Sequence, residues 1–449
     1  MKKIFFYLFF LLIFNQCSFD NKTGVWKNEE EIILSTQKKN TEDLKWENVF
    51  DEESSFSDEK EPRVGFNIED KNPFKNKAWL QEYFNESNNI PNLYYSNKKN
   101  IIYKSSKLSS RNRILEDNKF LYFENNIIST DTKGNIISYS LDFKSNEWQY
   151  NFYKKTYKKY KKNLDFIVNK NQIFIADNLG YMYSLNLKNG SLIWAKNFGI
   201  PFRSNMKMLD GQIFLADQDN LIYSINPNNG ETNWKYSTSS SALKSKFKNN
   251  FSFDLKNESI FFLNTNGELY SINYNIPKIN WIISLNEQSI DENTNLFVGH
   301  PITLNNENII ISTKNDLLNF NKLTGSKLWQ IPVSSKIKPI AYNKYVFLIS
   351  NDDLLICLDS STGKIIWSKY IFQLIKKSKI SFNKIKGFYI LNNQINLITT
   401  NGYLLVFDYN NGSLLSADLI IKSNILVDPI IVDGFMYILD VKNKITKLN

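Results

Sequence analysis

The chain has 449 residues, 42% hydrophobic and 15% aromatic, with a formal net charge of +10. That is enough apolar material for one large core or two medium ones. No apolar run of about eighteen residues follows the N-terminus, so nothing in the body spans a membrane as a helix. One histidine, His300, and two cysteines without a CxxC spacing, Cys17 and Cys357, leave little basis for histidine catalysis, zinc binding or a disulfide framework. Lys and Asn are spread along the whole sequence with no basic face or RNA-binding aromatic motif, which argues against a nucleic-acid partner.

Residues 1–16 read as a signal peptide: Lys2 and Lys3, then an apolar stretch from Ile4 to Phe14 too short to cross a bilayer. Cys17 follows where bacterial lipoproteins carry their lipid, with Ser18 after it, so Cys17 is the expected lipidation site. A plain secretory signal is the alternative. Residues 17–62 are polar and charged and include the acidic run "DEESSFSDEKE", which predicts a flexible tether.

Residues 63–449 form the folded part. From residue 120 onward a single unit recurs. It has an alternating apolar strand such as "QIFIAD", a turn such as "NLGY", and a second strand such as "YMYSLN". A glycine turn and a tryptophan strand follow, as in "NLKNGSLIWAKN". Trp148, Trp194, Trp234, Trp281, Trp329 and Trp367 mark six units. A seventh has Ser416 at the tryptophan position. The period of about 45 residues and the two-residue alternation predict an all-β array of four-stranded propeller blades. One twisted sheet cannot bury both its faces alone; stacking sheets around an axis does. Glycine admits positive φ at the turn, and the tryptophans read as structural wedges between blades. The last unit, "GFMYILDVKNKITKLN", lacks an outer strand, and "NIIYKSSK" at 100–107 is the candidate to supply it. The expectation is an eight-bladed β-propeller, with seven blades if the last piece only pads the seventh.

The unit resembles that of the PQQ-repeat propellers, which include quinoprotein dehydrogenases and the BamB lipoproteins of the outer-membrane β-barrel assembly (BAM) machinery. The likeness to the BamB lipoproteins runs from Cys17 to the C-terminus. It includes "AWLQEYFNESNNIPN", with Trp79 and Gln81, and "PIAYNKYVFLISNDDLLICLDSSTGKIIW". It implies a scaffold with no catalytic activity and no cofactor, on the periplasmic side of the outer membrane through its lipid anchor. Its implied partners are a BamA-like barrel-insertion protein, other assembly-complex subunits and unfolded outer-membrane protein clients. It further implies a docking pair after an early tryptophan strand, here Phe202 and Arg203 in "FGIPFRSN". Arg203 is the only arginine after residue 113, and its planar fork suits a carboxylate. The family's second docking element is acidic; the corresponding stretch here, "STSSSALKSKFKNNFSFD", is basic.

The alternatives are a PQQ-dependent dehydrogenase, or a propeller that binds another envelope protein or a glycan. The enzyme would need a calcium held by oxygen ligands and a general-base Asp. Asp177, Asp217 and Asp359 fall at strand ends, where Asp side chains form turns. Lone His300, in "FVGHPITL", reads as a hydrogen-bonded loop residue.

Overall fold

Short β-branched and aromatic runs between Gly, Asn and Asp turns fold into strands buried on both faces. Gln172–Asp177 and Tyr181–Asn186 are buried along almost their whole length, whereas Leu192–Asn197, the next strand, is largely exposed. That gradient marks an axis-to-rim order within each sheet. The computed structural model describes residues 56–108, 119–157, 159–242, 244–286, 296–372 and 384–449. It also describes the backbone of Ser18–Phe19 and Trp26–Lys27, which pair antiparallel. Cys17 lies outside the described residues.

Eight four-stranded antiparallel sheets make up the unit Ser55–Asn449. In seven blades the strands follow chain order from axis to rim, as in Leu164–Asn169, Gln172–Asp177, Tyr181–Asn186 and Leu192–Asn197. The eighth is composite. Ile430–Val432, Phe435–Leu439 and Ile445–Leu448 are completed by Ile101–Lys104, with Ile101 opposite Leu448 and Lys104 opposite Thr446. The expected closure by the 100–107 segment is therefore present and the ring has eight blades. The seven-blade alternative is excluded.

Five of the eight junctions between blades share one contact. Trp148, Trp194, Trp281, Trp329 and Trp367 each lie flat on a glycine of the next blade's last turn: Gly190, Gly230, Gly325, Gly363 and Gly412. A Cβ on any of these glycines would sit 2.5–2.9 Å from the ring. Each indole N–H also donates to a carbonyl of that turn; Trp194 Nε1 reaches Pro227 O at 2.8 Å. A β-bulge beside the tryptophan, as after Ser184 opposite Trp194, offsets the outer strand. The third junction differs. The fourth blade's turn holds Pro277 where the others hold glycine, and the buried Trp234 Nε1 has no hydrogen-bond partner.

Residues 76–96 fill the axis. They coil past the inner strands in blade order. Trp79 exchanges two 2.9 Å backbone bonds with Tyr122 in the first blade, and Leu80 O accepts from Val168 N in the second. Glu86 O accepts from Phe253 N in the fourth and Ser87 O from Leu304 N in the fifth. Leu93 N donates to Ile390 O in the seventh, and Asn76 O accepts from Asp433 N in the eighth. The expected tether also ends earlier than residue 62. Phe56 is buried against the fifth and sixth blades, and Lys60 pairs with Ser368 through two 3.0 Å backbone bonds. Glu59 and Glu61 meet Lys369, so the end of the acidic run is held by charge as well as by the Lys60–Ser368 pairing.

Two substitutions test the junction. Trp194→Phe leaves the Pro227 carbonyl without its donor and should cost about 1 kcal/mol more than Trp234→Phe, which removes an N–H already unpaired. Gly363→Ala, at φ +72° and 2.9 Å from Trp329, should cost about 2 kcal/mol. Denaturant midpoints measure both. Equal losses at Trp194 and Trp234 would remove the hydrogen bond from the account.

Candidate docking face and axial funnel

Each chain passage from an outer strand to the next inner strand occurs at one end of the ring, together with the middle turn of each blade. At that end a cavity of about 920 Å³ opens on the axis. Trp79, Glu82, Tyr83 and Ile90 of the central coil close its inner end. Its wall comes from the inter-blade connections, including Arg203, Lys246, Lys248 and Asp428. The funnel exists because the coil occupies the other part of the channel.

Charges meet where coil and wall touch. Lys119 Nζ is 2.6 Å from Asp165 Oδ1 and 3.5 Å from Glu82 Oε2. Burial works against the ammonium, but Asp165 and Glu82 outweigh it and hold Lys119 above its ordinary value. Burial likewise opposes the Glu82 carboxylate, and Lys119, Lys248 and Lys207 outweigh it, keeping Glu82 ionised. Lys207 is fully buried and donates to the carbonyls of Glu82 and Asn85 at 3.1 and 2.6 Å. Burial pulls it down to about 7. Lys338, also buried, sits 5.4 Å from the centre of the Tyr83 ring and is pulled down to about 7 for the same reason.

Phe202 and Arg203 lie between the second and third blades. Phe202 is only 8% exposed and packs against Phe198 and Tyr223. Arg203 is partly exposed on the funnel wall, and its guanidinium donates to Ser245 O in the next inter-blade connection. Its backbone is tied to the third blade and to the connection that leads to the fourth: N donates to Ala216 O at 3.0 Å and O accepts from Asn249 N at 3.1 Å. Of the pair, Phe202 is buried and Arg203 is partly exposed. The six tryptophans sit at the blade junctions, away from the funnel.

The strand-end carboxylates serve their turns. Asp177 Oδ1 accepts from Leu179 N and Tyr181 N at 2.9 and 2.8 Å, and Oδ2 from Tyr153 at 2.5 Å. Asp217 accepts from Asp219 N, Leu221 N and Tyr223 Oη. Asp359 accepts from Ser361 N and Thr362 N. His300 Nε2 lies 2.7 Å from Ser335 O, and burial lowers its pKa. The funnel cluster of Glu82, Lys119 and Asp165 escaped the repeat pattern, because Glu82 and Lys119 lie outside the recurring strands. The visible signal was the non-repeating, Asn-rich stretch after Trp79, whose amides cap inner strands; Asn88 Nδ2 reaches Phe251 O at 2.8 Å.

A family model described as "Outer membrane protein assembly factor BamB" matches residues 145–369. No curated protein matches the chain by sequence. Among solved structures, BamB from Moraxella catarrhalis is similar with a TM-score of 0.60 and 14% identity, over 77% of this chain and 99% of that one. Quinohemoprotein alcohol dehydrogenase from Comamonas testosteroni has a TM-score of 0.61 and 10% identity, over 83% and 80%. The computationally designed Ika8 protein has a TM-score of 0.56 and 10% identity, over 76% and 98%. At these identities the likeness is one of fold. Glu82 and Asp165 share Lys119, and among the described residues no three His, Cys, Asp or Glu side chains converge as ligands.

The buried lysine gives a pH signature. An unfolded chain keeps Lys338 protonated up to about its ordinary 10.5, whereas the fold holds that proton only below about 7. Between those values the unfolded state binds more protons, so this residue makes stability rise with pH. Lys338→Met should raise the melting temperature most at pH 7 and least near pH 10. An equal gain at both would show that the ammonium carries no penalty.

Proposed function

Since the chain belongs to the outer membrane protein assembly factor BamB family, we propose that it is a non-catalytic docking scaffold of a β-barrel assembly complex. Lipid on Cys17 holds it at the outer membrane, facing the periplasm. The inter-blade end of the ring docks on the periplasmic domains of a BamA-like barrel-insertion protein. There it assists the folding and insertion of unfolded outer-membrane proteins alongside the other subunits.

The observation that carries this reading is the setting of Arg203. Its backbone is fixed between Ala216 of the third blade and Asn249 before the fourth, its side chain is half-buried, and its guanidinium, donating to Ser245 O, stands at the funnel wall. Burial lowers its pKa, a desolvation that a partner carboxylate would offset. A planar fork held by a rigid frame gives directional recognition that a lysine lacks. Nothing specific in the funnel favours quinone chemistry over this.

Tagged full-length protein purified from outer membranes should bring down the barrel-insertion protein. Arg203→Glu should reduce that recovery several-fold with an unchanged circular dichroism melt, and Arg203→Lys should restore only part of it. Full recovery with Arg203→Glu removes this residue from the interface. Failure of the unaltered protein to recover the barrel-insertion protein overturns the scaffold reading.

A further inference from the structure

The two ends of the ring differ in charge among the described residues. Among the described residues, every charged side chain in the inter-blade connections except Asp428 is Lys or Arg. The turns at the opposite end mix signs, as with Glu124, Lys170, Asp210 and Glu231. Carboxylates do lie at the connecting end, and several are engaged, though Asp352 is exposed. Asp177 and Asp217 accept from their own turns, Asp219 pairs with Lys244 at 3.1 Å, and Asp353 pairs with Lys336.

The densest positive charge is the connection between the first and second blades, "FYKKTYKKYKKN". Lys154, Lys155, Lys159 and Lys161 are exposed there, and none forms an ion pair among the described residues. The segment is a built platform. Tyr153 donates to Asp177, Tyr157 shares a 2.9 Å hydrogen bond with Tyr181, and Phe152 stacks on Tyr183 at 4.6 Å. Lys162 turns inward and donates to Tyr157 O, while Tyr160 is left 59% exposed among the outward lysines. The next two connections continue the arc with Arg203, then Lys246 and Lys248, all lining the funnel.

We infer that the docking partner presents an acidic, protruding polypeptide edge, seated in the funnel and flanked by the Lys154–Lys161 platform. This rests on the docking reading above and specifies the partner's chemistry. Shape selects the occupant. A flat bilayer would meet the rim lysines but not Arg203, Lys246 and Lys248 inside the concavity, whereas the edge of a folded domain meets both. Tyr160 supplies an amphipathic aromatic at the rim, a side chain suited to protein interfaces. A one-signed arc steers an oppositely charged partner and raises the association rate, an effect that salt screens.

The test uses the full-length protein and the periplasmic domains of the barrel-insertion protein from the same organism, with association followed at low and physiological salt. The combined variant Lys154→Glu, Lys155→Glu, Lys159→Glu and Lys161→Glu should lower the association rate about tenfold or more and flatten its salt dependence. The control Lys170→Glu with Lys188→Glu, at the opposite end of the same blade, should change neither. Binding that is unaltered in the fourfold variant overturns the acidic-partner inference and leaves the docking reading standing. No binding of the unaltered protein at either salt refutes the docking reading itself. Phosphatidylcholine vesicles with and without phosphatidylglycerol form the third arm. Lysine-dependent capture by the anionic vesicles, without lysine-dependent binding to the periplasmic domains, assigns the platform to the membrane instead.

Discussion

A flat indole on a bare glycine sets the spacing of this ring. At five junctions the tryptophan on one blade's rim strand needs its neighbour's last turn to come within van der Waals distance, and a side chain at that turn would hold the blades apart. Five junctions are built this way, each with an N–H donated across the gap. The contact joins a hydrophobic face, a hydrogen bond and a positive-φ turn at one point. None of the three is replaceable without moving the next blade. The third junction lacks both glycine and acceptor, and the ring still closes there, because Trp234 packs on Phe214 and the shared core between the two blades is aromatic.

The second constraint is axial. Eight blades leave a channel, and an empty channel would expose the ends of the inner strands. The chain fills it with its own residues 76–96, whose amides and carbonyls pair with successive inner strands. That coil makes one end of the channel solid and the other a funnel. It also brings Glu82 against Lys119 and Asp165 in a setting of low polarity, where partners outweigh desolvation at Glu82 and Lys119, whereas burial raises the Asp165 carboxyl. A channel plugged by polypeptide, with its carboxylates engaged in ion pairs and turns, leaves the inter-blade connections as the working surface. Among the described residues the positive sign of that surface belongs to the connections, because strand positions are taken by packing.

The repeat was legible in the sequence because its causes are local. Alternation, glycine turns and tryptophans at a steady period specify antiparallel blades whatever surrounds them, and the orphan final unit required an outer strand from elsewhere. The strand-end Asp residues were likewise readable as turn formers, since their acceptors bond backbone N–H groups two to four residues away. What the period cannot carry is anything made by a residue that occurs once. Glu82, Lys119 and Asp165 stand far apart in the chain and meet only when the ring places the coil against the first two blades. Phe202 read as half of an exposed pair, yet local sequence does not say which neighbour turns inward; the aromatic cluster with Phe198 and Tyr223 decided that. Phe56 and Lys60 sit in a stretch that looks like tether, and their order comes from the sixth blade's free edge. Sequence by itself thus determined the blade, its number and its closure, all products of short-range pattern. Tertiary structure alone decided the plugged axis and the funnel, because these depend on which distant segments the closed ring forces into contact.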